Sequence, residues 1–202
     1  MMTCRVVIYA ADMARWEPGA RERLEQAALE LFVEQGFSDT TVPQITARAG
    51  LTTRTFFRHF SDKREVLFGV EQDLPALIGQ LMADAPASLR PMALIEQGLS
   101  VVASTWFEGQ RDHLLTHRAV VATDASLRER SLQKQAILSA AVSQGFRDRG
   151  LDELTSTLAA HVAVTVLDVA VDRWLDGDGE APLTDLVRDT LHELRGLLDE
   201  PG

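Results

Sequence analysis

Apolar residues recur every three or four positions along most of the chain, the spacing that places side chains on one face of an α-helix. No segment alternates strictly between apolar and polar residues, as a half-buried strand would. Glycine and proline interrupt the pattern at intervals and so mark helix ends. The pattern predicts a first helix from Pro18 to Gly36 and later ones at about 62–73, 75–84, 90–108, 111–121, 126–149, 152–175 and from Pro182 onward. We therefore expect an all-α fold.

Residues 41–49 predict a short helix with clear signals at both ends. Thr41 is followed three residues later by Gln44, a capping box in which the threonine hydroxyl accepts from the Gln44 amide and the glutamine side chain reaches back. Pro43 is tolerated because the first turn of a helix needs no amide donor. Gly50 ends the helix, because glycine adopts the left-handed conformation without a steric penalty.

A second short helix is predicted directly after this turn. Thr52 has the hydroxyl expected of its N-cap. Phe56 and Phe60 lie four residues apart, so both side chains can point inward from one face. The outward positions are Thr53, Arg54, Thr55 and Phe57. This pattern is typical of a helix-turn-helix that places its second helix in a DNA groove.

A third start signal follows the second short helix. Asp62, with Glu65 three residues later, predicts the N-terminus of the next helix and puts Lys63 in its first turn. The lysine ammonium and the free amides there could hold one phosphate.

These residues resemble the DNA-binding signature of the TetR/AcrR family of bacterial transcriptional regulators. The resemblance covers about residues 17–68 and is carried by Gly36-Phe37, Thr41-Val42, Ile45, Ala49-Gly50-Leu51, Arg54 to Phe60, and Lys63. It implies an all-helical homodimer of two-domain chains: an N-terminal three-helix helix-turn-helix domain (16–68) that binds double-stranded operator DNA, and a helical bundle domain (69–202) that binds a small effector and dimerises.

The resemblance also implies a role for individual residues. Thr41 would contact phosphate, and Thr53, Arg54 and Thr55 would face base edges or the backbone. The remaining candidate contacts to DNA are Thr52, Phe57, His59 and Lys63, the last three on the phosphate backbone. The chain departs from the family pattern at two positions: Thr46 replaces a small alanine, and Phe57 replaces a frequent tyrosine and so lacks a phenolic hydrogen bond to phosphate.

The formal net charge of −10 argues against generic binding to nucleic acid, because phosphate neutralisation drives most non-specific affinity. The charge is unevenly distributed, however. Residues 39–64 contain five Lys or Arg and two Asp, a net charge of +3, whereas residues 69–202 contain eleven cations and 21 acids. We expect the acidic body to repel DNA and to leave one face to bind it.

A chain of 202 residues that is 46% hydrophobic is long enough for a soluble globular protein of one or two domains. The single cysteine, Cys4, excludes an internal disulfide framework and fits a reducing compartment. The apolar run Val6-Val7-Ile8 is too short for a signal-peptide core or a membrane span, so we expect a cytoplasmic protein. Residues 1–15 are predicted to be disordered, with Met13 as an alternative translation start.

No catalytic motif, cofactor motif or glycine-rich phosphate loop emerges from the sequence. His113 and His117 lie four residues apart on a predicted helix, a spacing that lets two imidazoles share a metal. A third ligand is missing, so we interpret them as surface or hydrogen-bonded histidines. The sequence therefore predicts no catalytic residue, no metal site and no cofactor.

The last two predicted helices carry more apolar surface than one bundle face needs. The segment 158–171 is apolar on most of its circumference. The final helix has a stripe formed by Leu183, Leu186, Val187, Leu191, Leu194, Leu197 and Leu198. Two neighbouring helices of this kind suggest a four-helix interface with a second copy, and hence a homodimer.

Three polar residues, His161, Thr165 and Asp168, interrupt the apolar segment along one stripe of its helix. They could be the polar anchors of an otherwise apolar effector pocket, or they could be a solvated stripe or a dimer contact. Trp106 and Phe107 could line the same pocket, although aromatic residues of bundle helices are more often core. We expect a mostly apolar effector with one or two polar groups.

Two function classes remain open besides the leading hypothesis, which is a homodimeric repressor that a small molecule releases from its operator. One is a ligand-binding or interaction protein whose helix-turn-helix no longer reads DNA. The other is a helical enzyme that uses His113 and His117 around a metal. In the leading hypothesis the effector changes the separation of the two recognition helices, so that one half-site loses its contacts.

Overall fold

The structure is a computed structural model that describes residues 19–68 and 74–199. All regular elements in these ranges are helical, as the sequence predicts. The helices are α1 (Ala20–Gln35), α2 (Val42–Arg48), α3 (Thr53–His59), α4 (Leu74–Asp84), α5 (Pro91–Val102), α6 (Arg111–Thr123), α7 (Ala125–Asp148), α8 (Glu153–Asp176) and α9 (Leu183–Asp199). The chain divides into two compact units, Met1–Val66 and Leu67–Gly202. The predicted disorder of residues 1–15, the alternative start at Met13 and the start of the first helix at Pro18 lie outside the described residues.

The first unit is built on α1, α2 and α3, each of which packs against the other two. Its core is formed by fully buried side chains from all three helices, among them Leu24, Ala28, Ile45 and Phe56. Burying each of the larger ones contributes on the order of 1.5–3 kcal/mol. A small apolar core of this kind holds α2 and α3 in a fixed orientation.

In the second unit α8 is central, with α7 on one side and α9 on the other, and α4 and α5 close the bundle against α7, α8 and α9. The core cluster includes Phe146 from α7, Val166 and Ala170 from α8, and Val187 and Leu191 from α9. The small Ala170 is completely buried, which lets neighbouring helices approach closely. The bundle is thus a single apolar core.

The predicted helix over 62–73 is wrong for its described part, because residues 63–68 form turns. The capping signal itself is present: Asp62 Oδ1 accepts the amides of Arg64 at 2.8 Å and Glu65 at 3.2 Å. These bonds close a local turn around the carboxylate, which competes with a continuing helix for the same amides. The other half of the prediction, residues 69–73, lies outside the described residues.

The predicted helix at 90–108 also differs, because α5 ends at Val102 and a π-helical turn occupies Ala103–Phe107. The amide of Glu108 donates to the carbonyl of Ala103, which widens the last turn by one residue. The other predicted bundle helices agree with α4 and α6 to α9 within about two residues at their ends.

Helix α8 is long and apolar enough to cross a membrane by length and composition alone. A core helix of a soluble protein meets the same criterion, and α8 is the helix on which α7 and α9 pack. Packing against α7 and α9 therefore explains part of its apolar character, since a third of its most apolar stretch is buried.

Candidate nucleic-acid interface and ligand cavity

The capping box at the start of α2 is present in the structure. The amide of Thr41 donates to Gln44 Oε1 at 2.8 Å, and the amide of Gln44 donates to Thr41 Oγ1 at 3.4 Å. Gln35 of α1 also donates to Gln44 Oε1, at 3.3 Å. Thr41 is exposed and is held at the N-terminus of α2, where free amides and a hydroxyl can face an anion.

The turn between α2 and α3 is fixed by backbone geometry. Gly50 has φ of +66°, a conformation that residues with a side chain rarely adopt. The guanidinium of Arg23 in α1 donates to the Ala49 carbonyl just before it. Thr46, a departure from the family pattern, is buried, and its hydroxyl donates to the Pro43 carbonyl at 3.1 Å, so its polar atom is satisfied.

Helix α3 buries one face and exposes the other. Thr52 is its N-cap and accepts the amide of Thr55 at 3.1 Å. Phe56 is completely buried, whereas Phe57 is 60% exposed. The two rings meet edge to face with centroids 5.3 Å apart. An exposed phenylalanine held by a buried one offers a rigid apolar surface beside the charged positions.

The polar residues of α3 are placed on the exposed side as the sequence predicts. Thr53 and Arg54 are exposed, and Thr55 and His59 are half-buried. Arg54 has no hydrogen bond or ion pair with any residue in the described part of the chain, so its guanidinium is available to a partner. Arg58 is also exposed, one helical turn beyond Arg54, with its guanidinium 3.4 Å from His59 Nε2.

Arg58 is the candidate contact that the sequence reasoning missed. Its spacing of four residues from Arg54 places both guanidinium groups on one face of α3. That spacing is visible in the sequence and could have identified it.

Arg48, in contrast, forms ion pairs with two glutamates of α1. Its guanidinium binds Glu34 through two hydrogen bonds, of 2.9 and 2.7 Å, and Glu30 through a third of 3.3 Å. The hydrogen bond from Arg48 lowers the pKa of Glu34. One of the five cations counted between residues 39 and 64 therefore orients α2 against α1 rather than supplying free positive charge.

Lys63 is partly buried against the loop between α1 and α2. Its Nζ donates to the carbonyl oxygens of Phe37 at 2.6 Å and Thr40 at 2.7 Å, and it lies 4.2 Å from the centre of the Phe37 ring. The ammonium thus holds the loop that leads into Thr41. The predicted phosphate contact of Lys63 stays a prediction.

An apolar cavity, larger than the recess beside α6, lies in the second unit between α4, α5, α7 and α8 and opens to solvent. Its cavity volume of about 110 Å³ is below the roughly 300–1,000 Å³ that is usual for ligand pockets. The lining is aliphatic and aromatic, with Leu81, Leu99 and Phe146 as representative residues. Gln135 and Asp168 are its polar lining side chains within the described residues.

Gln135 and Asp168 join α7 to α8 beside the cavity. The Gln135 amide donates to Asp168 Oδ2 at 2.5 Å. Burial raises the pKa of Asp168. The hydrogen bond from Gln135 lowers this pKa by a smaller amount, and repulsion by Asp172 raises it slightly. A carboxylate at the edge of an apolar cavity can accept a hydrogen bond from a ligand or pair with a ligand cation.

The five residues predicted for an effector pocket do not meet at one place. Asp168 lines the large cavity. Trp106 and Phe107 line a smaller recess beside α6. His161 and Thr165 are exposed on α8 and line neither of the two. Their place in an effector site stays a prediction.

An exposed apolar face runs along α8 and continues at the end of α9. Leu154, Leu158 and Val169 are exposed on α8, and Leu197 and Leu198 are exposed on α9. Five large exposed apolar side chains on two neighbouring helices are more than the scattered surface residues of a typical monomer.

The residues considered for a metal do not form a ligand cluster. No group of three or more His, Cys, Asp or Glu that could hold a metal ion occurs among the described residues. His113 and His117 lie on α6, where burial lowers the pKa of both side chains.

The similarity of this chain to known proteins is clearest in the first unit. Residues 25–70 match the model of the bacterial regulatory proteins of the tetR family. The HTH-type transcriptional regulator TcmR of Streptomyces glaucescens is 30% identical over 115 residues, which cover 54% of this chain and 51% of that protein. The chain thus spans about half the length of this relative. Two regulators of Pseudomonas putida, SrpR and TtgW, are 50% and 48% identical over 50 residues, which cover 24% and 37% of those proteins.

Solved structures have the same fold over most of the chain. A TetR-family transcriptional regulator from Syntrophomonas wolfei superposes with a TM-score of 0.60 at 16% identity, over 88% of this chain and 94% of that one. Thermus thermophilus FadR, a repressor in complex with lauroyl-CoA, superposes with a TM-score of 0.55 at 23% identity, over 90% and 97%. At these identities the likeness shows a common fold.

Proposed function

We propose that this chain, whose residues 25–70 match the model of the tetR family of bacterial regulatory proteins, is a transcriptional repressor that a small molecule releases from operator DNA. The proposal includes a homodimer that acts in the cytoplasm.

The observation that carries the DNA-binding part is the exposed side of α3. Thr53, Arg54, Phe57 and Arg58 are exposed together on a helix whose opposite side is fixed by the completely buried Phe56. Arg54 has no intramolecular partner among the described residues and can reach base edges, where a bidentate contact to guanine is the commonest specific one. Thr41 at the N-terminus of α2 is placed to contact phosphate.

The geometry favours specific docking over generic attraction. Arg48 is paired with Glu30 and Glu34, so the five cations between residues 39 and 64 supply less available positive charge than their number suggests. A surface with few available cations gains little from phosphate neutralisation alone. Recognition then depends on contacts made in one orientation, which suits an operator sequence.

The large apolar cavity supports the effector part of the proposal. Its apolar lining favours a mostly apolar molecule, and Asp168, held by Gln135, provides a hydrogen-bond acceptor at one edge. The Thermus repressor was solved with lauroyl-CoA, a thioester with negatively charged phosphates. No Lys or Arg lines this cavity in the described ranges, so we propose a ligand that donates a hydrogen bond or carries a positive charge.

The exposed apolar face of α8 and α9 supports the homodimer. Covering Leu158 and Leu197, which are 58% and 70% exposed, removes apolar surface from water at about 25 cal/mol per Å². A two-fold interface uses the same patch on both copies, so that α8 and α9 of each would form a four-helix contact. Two half-sites spaced by one helical turn of DNA or a multiple would then be bound together.

The test is binding to DNA that flanks the gene of this protein, measured by fluorescence anisotropy at several salt concentrations against a random duplex of equal length. A repressor should bind the flanking DNA at least about 10³-fold more tightly than the random duplex. Arg54→Ala should weaken this preference. Arg188→Ala, which removes a cation from the exposed surface of α9 where Arg188 pairs with Asp185, is its matched control and should not. Equal affinity for both duplexes would favour the alternative, a ligand-binding protein whose helix-turn-helix no longer reads DNA.

A further inference from the structure

One ring nitrogen of His117 on α6 is buried without a hydrogen-bond partner. Among the buried side-chain nitrogen and oxygen atoms of the described residues, His117 Nε2 is the one with no partner. Most buried polar atoms of folded proteins are hydrogen-bonded, so an exception of this kind calls for an explanation.

The chemical state of this nitrogen follows from its surroundings. The His117 ring makes a hydrogen bond to the backbone of Leu67 that favours the protonated ring, which means that Nδ1 donates to the carbonyl oxygen. Burial, with a smaller contribution from the charge of His113, lowers the pKa of His117 to about 4. The ring is therefore neutral near pH 7, and Nε2 presents a lone pair that can only accept.

The unpartnered nitrogen belongs to a recess that shares Leu74 with the Asp168 cavity but is lined by neither Asp168 nor Gln135. The recess has a cavity volume of about 60 Å³ and is partly open to solvent, and its lining includes Trp106, Phe107 and Gln110 beside His117. Phe68 packs its edge against the His117 ring, with centroids 5.4 Å apart, and so fixes the ring orientation. Aromatic walls around one fixed acceptor are the features of a small-molecule site.

The backbone of the same recess is also unusual. Trp106 and Phe107 lie in the π-helical turn Ala103–Phe107, and π-helical turns inside helices occur frequently at functional sites. Without the extra residue in this turn, α5 would continue past Val102 with a different face. The turn thus brings two aromatic side chains to the recess that the histidine lines.

We propose that this recess is a second ligand site, which binds a small neutral aromatic molecule through a hydroxyl group that donates to His117 Nε2. A carboxylate or phosphate is unsuitable because it would bring an acceptor against an acceptor. An ammonium group is disfavoured because the described lining of the recess contains no carboxylate to act as its counter-ion, and burying an unpaired charge is costly. A phenolic hydroxyl supplies the missing donor, and its ring can stack against the aromatic walls. The site is independent of the proposed binding to DNA.

The experiment compares 2-naphthol with 2-methoxynaphthalene, which differ in the presence of the donated hydrogen. Calorimetric titration of the full chain should show 2-naphthol binding roughly 3- to 10-fold more tightly, the range that one net hydrogen bond provides. In protein labelled with ¹⁵N-histidine, the His117 Nε2 resonance should move on addition of 2-naphthol and stay with 2-methoxynaphthalene. Equal affinity, no binding of either compound, or an unmoved resonance would overturn the proposal.

Two variants locate the preference. His117→Phe keeps an aromatic ring and removes the acceptor, so the two compounds should bind it equally. Asp168→Leu removes the acceptor of the large cavity and should retain the preference for 2-naphthol. Loss of the preference in Asp168→Leu, or its retention in His117→Phe, would place the hydroxyl elsewhere and overturn the proposal. The resonance measurement on the unmodified protein decides the matter if His117→Phe does not fold.

Discussion

The ammonium of Lys63 lies 2.6 Å from the carbonyl oxygen of Phe37 and 4.2 Å from the centre of its ring. A lysine that the sequence assigns to phosphate therefore also fixes the loop between α1 and α2, which leads to the candidate phosphate contact Thr41. Both roles use the same charge, because an ammonium has three donors and can direct them to different acceptors.

Lys63→Met removes both roles, and two different measurements distinguish them. We expect the free energy of unfolding of the first unit to fall by about 2 kcal/mol, since charge-assisted hydrogen bonds contribute roughly 1.5–3 kcal/mol and the methionine keeps the apolar stem. If Lys63 also contacts phosphate, affinity should fall equally for all DNA sequences, and the slope of log affinity against log salt should decrease by about one. Urea unfolding and anisotropy measure the two effects. An unchanged slope with lowered stability would leave only the loop role.

Arg54→Ala should act differently, because Arg54 is exposed without an intramolecular partner in the described ranges. We expect unchanged stability and a loss of discrimination at particular base pairs of on the order of 1–3 kcal/mol if the guanidinium makes a bidentate base contact. Competition against operators substituted at single positions measures this loss. Equal weakening on operator and random DNA would assign Arg54 to the phosphate backbone.

The dimer prediction is best tested on α8. Leu194, the obvious choice from the apolar stripe of the last helix, packs against the core of its own chain, so a charge there could unfold the unit. Leu158 is 58% exposed in the isolated chain, so Leu158→Glu should change the free energy of unfolding of a monomer very little. In the proposed dimer the same substitution places an unpaired carboxylate inside the interface.

We expect Leu158→Glu to sediment as a folded monomer and to lose most of its operator affinity, because a single half-site remains. Val33→Glu, at an exposed valine of α1 in the first unit, is the matched control and should stay dimeric. A dimeric Leu158→Glu protein would show that this face is not the interface.

The elements whose signals lie close together in sequence were the ones that could be predicted. Thr41 with Gln44, and Thr52 before α3, are caps within three residues of the amides they bind, so local chemistry decides them. Gly50 likewise predicts the turn at which it has positive φ.

The parts that could not be predicted depend on contacts between distant residues. Gln135 meets Asp168 across 33 residues, and Arg48 meets Glu34 across 14, so neither spacing carries a helical or turn pattern. The cavity is similarly assembled from four helices, which is why Trp106 and Phe107 were grouped with Asp168 although they line a different recess.

Asp168→Leu tests the effector cavity. The substitution removes a carboxylate whose burial raises its pKa, so the bundle should lose little or no stability beyond the hydrogen bond from Gln135. We expect dimerisation and operator affinity near those of the unmodified protein, and loss of release by a ligand that is effective on it. Asp168→Asn, which keeps an acceptor oxygen, should retain part of the response. A normal response in Asp168→Leu would place this residue outside the effector site.

The buried His117 makes a prediction about acid stability. Its pKa is about 4 in the folded chain and near 6.5 in an unfolded one, so between these values the unfolded state binds a proton that the folded state does not. Stability must then fall as the pH is lowered from about 6.5 to 4 and stop changing on this account below 4. The difference corresponds to about 3 kcal/mol. Urea unfolding at a series of pH values should show this loss in the unmodified protein.

His117→Phe has no titrating group at this position, so its free energy of unfolding should fall by about 3 kcal/mol less over the same range. His113→Phe is the matched control on the same helix: the pKa of His113 is also lowered by burial, but His113 is less buried, so its contribution should be smaller. A pH dependence that is the same in the unmodified protein and in His117→Phe would mean that His117 is not held neutral by the fold.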